Sequence, residues 1–315
     1  MRREGSPREA GVGRIAVAGA SGFIGRALVR ALDAAGYEPV PLRRPESPPA
    51  DGAVEWDPDR GTIDAAALEG LEAVVNLAGK GIGDRRWTEA HKTAVLQSRV
   101  GSTRLLAGTL AELASPPGVL VNASASGYYG DRGDEVLDES SGPGSGFLAE
   151  ICIEWEAATR GAAAAGIRVA HLRSGIVLSP EGGALARMLL PFRLGLGGKL
   201  GDGSQWWSWI SLDDEIAAIL HIVRTAELSG PCNLASPNPV RNKEFTETLA
   251  GVLRRPAVLA APRFALRVAL GEFADEGLLG SQRMFPRRLE ESGFGFAHPE
   301  LEPALRAVLG RGDAV

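Results

Sequence analysis

The sequence of 315 residues contains only two cysteines and four histidines. Cys152 and Cys232 lie far apart and form no Cys-x-x-Cys pair, which excludes a disulfide-rich scaffold and favours a reducing compartment. We therefore expect a cytoplasmic protein. The histidines show none of the short spacings of a metal site, so no metal is expected at His91, His171, His221 and His298.

A basic excess and a long hydrophobic run are also lacking. The formal net charge is −5, which argues against a nucleic-acid partner. No apolar run approaches the roughly 18 residues of a membrane span, so we expect no membrane partner. Residues 1–13 lack the apolar core of a secretory signal, and we predict a disordered tail there. An organellar presequence is the alternative, although Glu4 and Glu9 interrupt it.

The composition is that of a globular protein, with 44% hydrophobic and 23% charged residues. Short apolar runs, typical of strands buried on both faces, alternate with segments that have the helical period of about 3.6 residues. This alternation predicts an α/β fold with a doubly wound parallel sheet. The predicted strands are 15–18, one near Val40, 54–56, 73–78, 119–123 and 168–174, and the predicted helices are 23–35, 88–113 and 147–165.

The amino-acid composition changes after Ser179. Glycines become frequent, and Trp206, Trp207 and Trp209 stand close together. We therefore predict a dinucleotide-binding Rossmann domain over residues 14–179, to which 213–245 contributes. A smaller, mainly helical lobe on the substrate side is predicted over residues 180–315.

The most specific motif is a glycine-rich loop between the first predicted strand and the first predicted helix. Its glycines would let the backbone turn tightly, approach a pyrophosphate and pack the helix against the strand. We predict that the loop binds a dinucleotide; a glycine-rich turn without a ligand is the alternative. The motif reads Gly19-Ala20-Ser21-Gly22-Phe23-Ile24-Gly25.

Several motifs together resemble the short-chain dehydrogenase/reductase superfamily in its extended, epimerase-like branch. The G-x-x-G-x-x-G spacing of the loop is the first. The resemblance implies a Rossmann fold and an NAD(P) cofactor, contacted also by Leu77, Ala78, Gly79 and Ser174. The other matching segments are Asn76-Leu77-Ala78-Gly79, Ser124-Ala125-Ser126-Gly127-Tyr128-Tyr129-Gly130 and Gly201-Asp202-Gly203-Ser204-Gln205.

A narrower resemblance is to an atypical subgroup known as epimerase family proteins, which carry a C-terminal domain of unknown function. This resemblance implies such a tail domain at about residues 262–310. It is specific for the family and leaves the reaction undefined. The segments that carry it are Arg86-Trp87, Phe147-Leu148-Ala149-Glu150, Arg173-Ser174-Gly175, Leu190-Pro191-Phe192 and Gln282-Arg283-Met284-Phe285-Pro286.

The end of the second predicted strand indicates which cofactor is preferred. NAD-selective folds place an acidic residue there, whereas this strand ends in Arg43 and Arg44, whose guanidinium groups suit a 2′-phosphate. We therefore predict NADP(H), with ordinary surface charges as the alternative. Arg99 on the following long helix is a further candidate for the cofactor phosphates, and a surface salt bridge is equally compatible with the sequence.

The superfamily's catalytic Tyr-x-x-x-Lys pair is missing. The three tyrosines are not followed four residues later by lysine, and the alignment places Leu148 and Cys152 at the two positions. Ser124 and Tyr128, predicted at the carboxyl end of a parallel strand, are the remaining candidates for proton transfer. Packing is the alternative role for Tyr128.

Two functions from different classes fit these observations. The first is an NADP(H)-dependent oxidoreductase or epimerase that acts on a small substrate with a non-standard acid. The second is an NADP(H)-binding sensor or partner-binding protein without turnover. Trp207 stands where many nucleotide-sugar epimerases carry an arginine for the substrate's diphosphate, which argues against a nucleotide sugar and predicts an apolar substrate wall. The oligomeric state stays open, a homodimer included.

Overall fold

The structure is a computed structural model that describes residues 12–47 and 52–311. The tail predicted over residues 1–13 lies outside the described residues, apart from Val12 and Gly13, and so do residues 312–315 of the predicted lobe.

Strands and helices alternate along the first two thirds of the chain. The strands are β1 (Arg14–Ala18), β2 (Glu38–Arg43), β3 (Val54–Asp57), β4 (Thr62–Ile63), β5 (Ala73–Asn76), β6 (Val119–Ala123), β7 (Val136–Leu137), β8 (Arg168–Ser174), β9 (Ile176–Leu178), β10 (Trp206–Trp207), β11 (Trp209–Ser211), β12 (Gly230–Leu234), β13 (Val240–Arg241) and β14 (Arg283–Met284). The helices are α1 (Phe23–Ala34), α2 (Glu89–Ala111), α3 (Phe147–Ala157), α4 (Arg160–Ala164), α5 (Gly183–Arg193), α6 (Leu212–Arg224), α7 (Asn242–Leu253), α8 (Arg263–Leu270), α9 (Arg287–Glu291) and α10 (Leu301–Val308).

Eight of these strands form one sheet in the order β12-β8-β6-β5-β1-β2-β3-β4. All neighbours pair in parallel except β3 and β4, which are antiparallel. Alternate residues of β1 enter opposite cores: Ile15 and Val17 pack with α1 and α6, and Ala16 and Ala18 pack with the side that holds α2 and α4. Both faces are therefore covered, and the prediction of a doubly wound α/β fold is confirmed.

The prolines of β2 are tolerated because of where their nitrogens point. The Glu38 N–H donates to the carbonyl of Gly13 on the β1 side. Backbone donors alternate along a strand, so the nitrogens of Pro39 and Pro41 face away from β1. On that side the pairing with β3 begins only at Leu42, and no ladder hydrogen bond is lost.

The prediction of one continuous helix over residues 147–165 is wrong. The segment 147–165 forms α3 and α4, with Ala158 and Thr159 between them. The Thr159 hydroxyl donates to the carbonyl of Glu156 at 2.7 Å. Such a side-chain bond competes with the helical backbone bonds and accompanies the break.

Strand β12 was not predicted, because it contains Gly230 and Pro231 and no apolar run. It nevertheless pairs with β8 at the edge of the main sheet, a position that tolerates proline. Helix α6 also packs on this sheet. Residues 212–234 are thus part of the sheet layer, and most of them lie within the segment 213–245 that the sequence assigned to the Rossmann domain.

Helices α5, α7 and α10 form a mainly helical lobe with its own core. Leu185 of α5, Phe245 and Leu249 of α7, and Leu305 of α10 pack there around Trp209. Within the described ranges, no helix is both long and apolar enough to cross a membrane.

The topology determines where a ligand can bind. Since β1, β2, β5, β6 and β8 are parallel, their carboxyl ends all lie along one edge of the sheet. That edge is the binding edge of doubly wound folds. The predicted site residues lie at the carboxyl ends of these five strands or in the segments that follow them, with Arg99 on α2.

Candidate functional site

The glycine-rich loop joins β1 to α1 through close backbone contacts. Gly19 has φ +79°, and a Cβ on it would lie 2.8 Å from the carbonyl of Leu77. A Cβ on Gly25 would lie 2.1 Å from the carbonyl oxygen of Gly19. Gly22 is the N-cap of α1 and supplies no side-chain cap, which leaves the first backbone N–H groups of the helix available for an anion.

The loop after β5 faces the glycine-rich loop. The Leu77 N–H donates to the carbonyl of Ala18 at 2.9 Å. The side chain of Asn76 stabilises this turn. It donates to Asn122 and Thr103 and accepts from the Ala78 N–H. This fully buried amide therefore fixes the conformation of Leu77, Ala78 and Gly79 beside the glycine-rich loop.

Arg43 and Arg44 lie at the carboxyl end of β2, as a contact to a 2′-phosphate would require. Arg43 donates to Glu55 at 3.0 Å and to the carbonyl of Ser47 at 3.0 Å. Arg44 donates to Asp59 at 2.8 Å. Both guanidinium groups are partly exposed and are held by acidic partners from the β3 side of the sheet.

Arg99 lies on α2 and reaches back over the loop after β5. Its Nη1 donates to the carbonyl of Lys80 at 2.8 Å, and its guanidinium stacks over the ring of Trp155 at 5.0 Å. A Cβ on Gly79 would lie 3.2 Å from Cζ of this arginine. Desolvation lowers the pKa of Arg99. Over the described parts of the chain, no carboxylate lies within salt-bridge distance of it.

The candidate residues after β6 belong to a polar cluster. Ser124 is buried, and its hydroxyl donates to Glu156 at 2.8 Å. Glu156 also accepts two hydrogen bonds from Arg173, whose guanidinium lies 3.4 Å from the centre of the Tyr128 ring. Tyr128 is half-buried. The neighbouring Tyr129 is fully buried and donates to Asn233, and burial raises its pKa to about 12.

Leu148 and Cys152 occupy the place of the missing catalytic pair, on the side of α3 that faces the end of β6. A Cβ on Gly127 would lie 3.1 Å from Leu148 Cβ and 3.8 Å from Cys152 Sγ. The thiol points to the carbonyl of Ala125 at 3.7 Å. Burial raises the pKa of Cys152 to about 11, so this thiol is neutral at physiological pH and supplies no fixed charge.

Ser174 ends β8 and donates to Glu215 at 2.7 Å. Glu215 lies in the first turn of α6 and is fully buried. Its second oxygen, Oε2, has no hydrogen-bond partner within the described residues. The sequence did not single out this carboxyl, because its environment is formed by β8 and α6 together.

A cavity of about 970 Å³ extends from the glycine-rich loop to the C-terminal lobe. Of the residues predicted to bind the cofactor, Gly19, Gly22, Phe23, Ile24, Gly25, Leu77 and Gly79 line it. Ser21, Ala78, Arg43, Arg44, Arg99 and Ser174 lie outside the lining, as do the candidate catalytic residues Ser124 and Tyr128.

The lobe side of the cavity is mostly apolar. Trp207 lines it, and so do Leu200, Phe273 and Leu278. Trp207 also packs edge to face on Phe245 in the lobe core, with ring centres 5.2 Å apart. Trp206 points away and donates to Asp134. Trp207 thus both lines the cavity and packs in the core of the lobe.

Sequence reasoning missed the charged pair of the cavity. Among its described lining residues, only Asp84 and Arg187 carry charge, and they form an ion pair at 2.7 Å. Arg187 also donates to the carbonyl of Gly83. The two residues lie on a loop and on α5, far apart in the chain, so no local spacing could have indicated the pair.

A doubly wound sheet with a glycine-rich turn at the carboxyl end of its first strand defines a Rossmann-type nucleotide-binding protein. The model of the NAD dependent epimerase/dehydratase family matches residues 15–235, and that of a domain of unknown function, DUF1731, matches residues 261–308. The chain therefore belongs to the NAD dependent epimerase/dehydratase family. The resemblance to the epimerase family proteins is confirmed.

The relatives and solved structures agree with this assignment. An epimerase family protein of Mycobacterium bovis is 46% identical over 291 residues, which cover 92% of this chain and 96% of that protein. The crystal structure of human epimerase family protein SDR39U1 with NADPH has a TM-score of 0.85 at 34% identity and covers 94% of this chain and 99% of that one. A nucleoside-diphosphate sugar epimerase of Corynebacterium glutamicum has a TM-score of 0.79 at 36% identity and covers 95% of this chain and 58% of that one.

Proposed function

We propose that the protein binds NADP(H) and acts as an oxidoreductase on a small apolar substrate. The observation that carries the proposal is the single continuous cavity, which has the glycine-rich loop at one end and the apolar wall with Trp207 at the other. The crystal structure of the human relative with NADPH supports the choice of cofactor. When bound, the nicotinamide supplies or accepts a hydride.

The residues present fit such a cofactor. The glycine contacts leave a backbone cradle that any side chain would fill, as a closely bound pyrophosphate needs. We assign Gly19, Ser21, Gly22, Phe23, Ile24 and Gly25 to the pyrophosphate side, and Arg43 and Arg44 to the 2′-phosphate. Leu77, Ala78, Gly79, Arg99 and Ser174 are assigned to the remainder of the cofactor.

The substrate class follows from the lining. A substrate with a diphosphate would need several cations, whereas Arg187 is the one basic side chain among the described residues that line the cavity. An apolar molecule instead gains by removing its surface from water against Trp207, Leu200 and Leu278. We keep Ser124 and Tyr128 as candidates for proton transfer, because both follow β6 at the binding edge.

The cofactor proposal is tested by calorimetry with NADPH and NADH. A hydrogen-bonded Arg–phosphate contact is worth about 1.5–3 kcal/mol, or roughly 10- to 150-fold in affinity. The wild type is expected to prefer NADPH by this factor, and Arg43→Ala to lose most of the preference while keeping its NADH affinity.

Arg14→Ala is the matched control, because Arg14 lies at the opposite, amino-terminal end of β1. It should leave both affinities unchanged. Equal affinities of the wild type for NADPH and NADH would refute the assignment of Arg43 and Arg44.

A second function is favoured by one specific observation. Leu148 and Cys152 place no acid and no fixed cation where the superfamily's catalytic pair stands, which suits an NADP(H)-binding sensor or partner-binding protein. Steady NADPH oxidation with any member of a panel of apolar aldehydes and ketones would support the oxidoreductase. Tight NADPH binding without turnover across the panel would support the sensor.

A further inference from the structure

Exposed apolar side chains are concentrated around the mouth of the cavity. Of the ten large hydrophobic residues exposed in the described chain, seven lie between residues 190 and 268, each with 50–82% of its surface accessible. We call these residues and the segments that carry them, 190–200 and 254–268, the rim. The seven residues are Leu190, Leu194, Leu196, Val258, Leu259, Phe264 and Val268.

The two segments of the rim lie side by side. The Ala261 N–H donates to the carbonyl of Lys199, and the Gly201 N–H donates to the carbonyl of Ala261, both at 2.9 Å. Arg255 donates to the carbonyl of Arg193 at 3.0 Å. The exposed side chains are therefore carried by two neighbouring segments. Exposed apolar side chains concentrated in this way are typical of an interaction site.

The rim borders the entrance to the cavity. Leu196 and Leu259 line the cavity and are also 59% and 50% exposed. A molecule that covers the rim would thus contact both the protein surface and the opening. An apolar ligand could pass between the two without crossing bulk water.

The charge of the rim is of one sign. Residues 190–200 and 254–268 contain six basic residues and no acidic residue, in a protein whose net charge is −5. Arg267 is paired with Asp275, and the carboxylate of Asp202, next to the first segment, interacts with Arg263 at longer range. Within the described residues, the other five have no carboxylate within 4.0 Å: Arg193, Lys199, Arg254, Arg255 and Arg263.

Helix α8 combines exposed apolar side chains with basic side chains within eight residues. None of its residues is buried. Phe264 and Val268 stand four residues apart, on one face, and Arg263 and Arg267 stand beside them. Apolar side chains flanked by arginine are typical of helices that lie in the interface of an anionic bilayer.

We propose that the rim docks on the surface of a bilayer containing anionic phospholipids, with Phe264 and Val268 inserted and the free basic residues at the headgroups. The proposal rests in part on the proposed function, because the bilayer would be the source of the apolar substrate. Docking of this type needs no membrane-spanning helix. The sequence argument against a membrane partner concerned only spanning segments.

A second copy of the chain is the less suitable occupant. A symmetric dimer brings the same patch of both subunits together. The basic residues of one rim, Arg193, Arg254, Arg255 and Arg263 among them, would then lie against the basic residues of the other, and like charges across an interface are unfavourable. Anionic headgroups provide the complementary charge.

The test is co-sedimentation of the full-length protein with vesicles of phosphatidylcholine alone or with about a third phosphatidylglycerol. We expect binding to the anionic vesicles only, weakening as salt is raised. Each basic residue near such a surface contributes about fivefold to partitioning. The double variant Arg193→Glu, Arg263→Glu should therefore bind at least about 25-fold more weakly, and Phe264→Ser, Val268→Ser should lose binding even at low salt.

The matched control is Arg104→Glu, Arg160→Glu, which makes the same charge change on exposed residues of α2 and α4. It should bind nearly as the wild type does. The proposal is overturned if the wild type ignores anionic vesicles at low salt, if the control loses binding equally, or if soluble polyglutamate competes fully. It is also overturned if sedimentation shows a dimer that the rim variants dissociate.

The affinity for NADPH without vesicles separates this proposal from the proposed function. The rim residues changed here do not line the cavity, so NADPH affinity should stay within about twofold in every variant. A wild type that binds NADPH but not anionic vesicles would refute docking alone, whereas absence of NADPH binding in the wild type would refute the function.

Discussion

Glu215 is the titratable side chain whose behaviour depends most on burial. It is fully buried, and the Ser174 hydroxyl is its one hydrogen-bond partner among the described residues. Desolvation raises the pKa of Glu215 from its ordinary 4.5 to about 8, although the Ser174 hydrogen bond opposes the shift. The folded protein therefore keeps this carboxyl protonated at neutral pH, while the unfolded chain releases the proton.

A consequence is a loss of stability between about pH 4.5 and pH 8. The unfolded state binds fewer protons than the native state in this range, so the free energy of unfolding falls as pH rises and levels off above the folded pKa. Glu215→Gln removes the ionisable group. We expect the variant to be less sensitive to pH and to exceed the wild type in stability by a few kcal/mol at pH 9.

Urea denaturation at pH 5, 7 and 9 measures this difference. Glu154→Gln, at an exposed position of α3, is the control and should follow the wild type at each pH. Parallel stability curves for the wild type and Glu215→Gln would show that the buried carboxyl is ionised in the folded state.

At the scale of elements, the close packing of α1 against β1 and the glycine-rich loop requires glycine at the contact positions. Gly25 lies in the first turn of α1 and is buried. Helical glycine normally costs stability, yet here a Cβ would collide with a backbone oxygen rather than with a movable side chain. The packing of α1 on the sheet and the backbone cradle for the cofactor thus depend on the same residue.

Gly25→Ala should consequently lower the free energy of unfolding by about 1–3 kcal/mol and abolish most NADPH binding, because the collision moves α1 away from the loop. Gly101→Ala is the matched control. Gly101 lies within α2, and a Cβ there would meet nothing within 4 Å. The control should gain up to about 1 kcal/mol and keep its NADPH affinity. Similar effects of both substitutions would contradict the close-contact argument.

At the scale of the whole molecule, the cavity depends on the sheet layer and the C-terminal lobe together. The glycine-rich loop contributes one wall and Trp207 the opposite one. Trp207 is 6% exposed and belongs to the lobe core, as does the fully buried Trp209, which does not line the cavity. The two tryptophans can therefore separate the effect of the cavity wall from that of core packing.

Trp207→Phe should change the affinity for apolar ligands severalfold, because it removes part of the wall, while NADPH affinity stays nearly unchanged. Its stability should fall by about 0.5–3 kcal/mol. Trp209→Phe should lower stability comparably without affecting either ligand. Displacement of the fluorescent dye anilinonaphthalene sulfonate by aldehydes and ketones, together with thermal melting, measures both effects. Equal ligand affinities in the two variants would make Trp207 a packing residue only.

The sequence by itself determined the elements whose signals are local. The strands β6 and β8 were predicted at their observed bounds. For β6 the signal is a nearly continuous apolar run, as a strand buried on both faces requires. The loop between β1 and α1 was predicted because its three glycines recur at every third residue within one short segment of the chain. The family could be inferred from motifs for the same reason, as each motif is a short contiguous segment.

Tertiary structure decided the features that join distant segments. The Asp84–Arg187 pair, the protonated Glu215 and the addition of β12 to the main sheet have no local signal, because each depends on which elements pack together. The rim likewise exists only because residues 190–200 lie beside 254–268. Burial and the proximity of charges are properties of the folded chain, and they determine the electrostatics and the shape of the site.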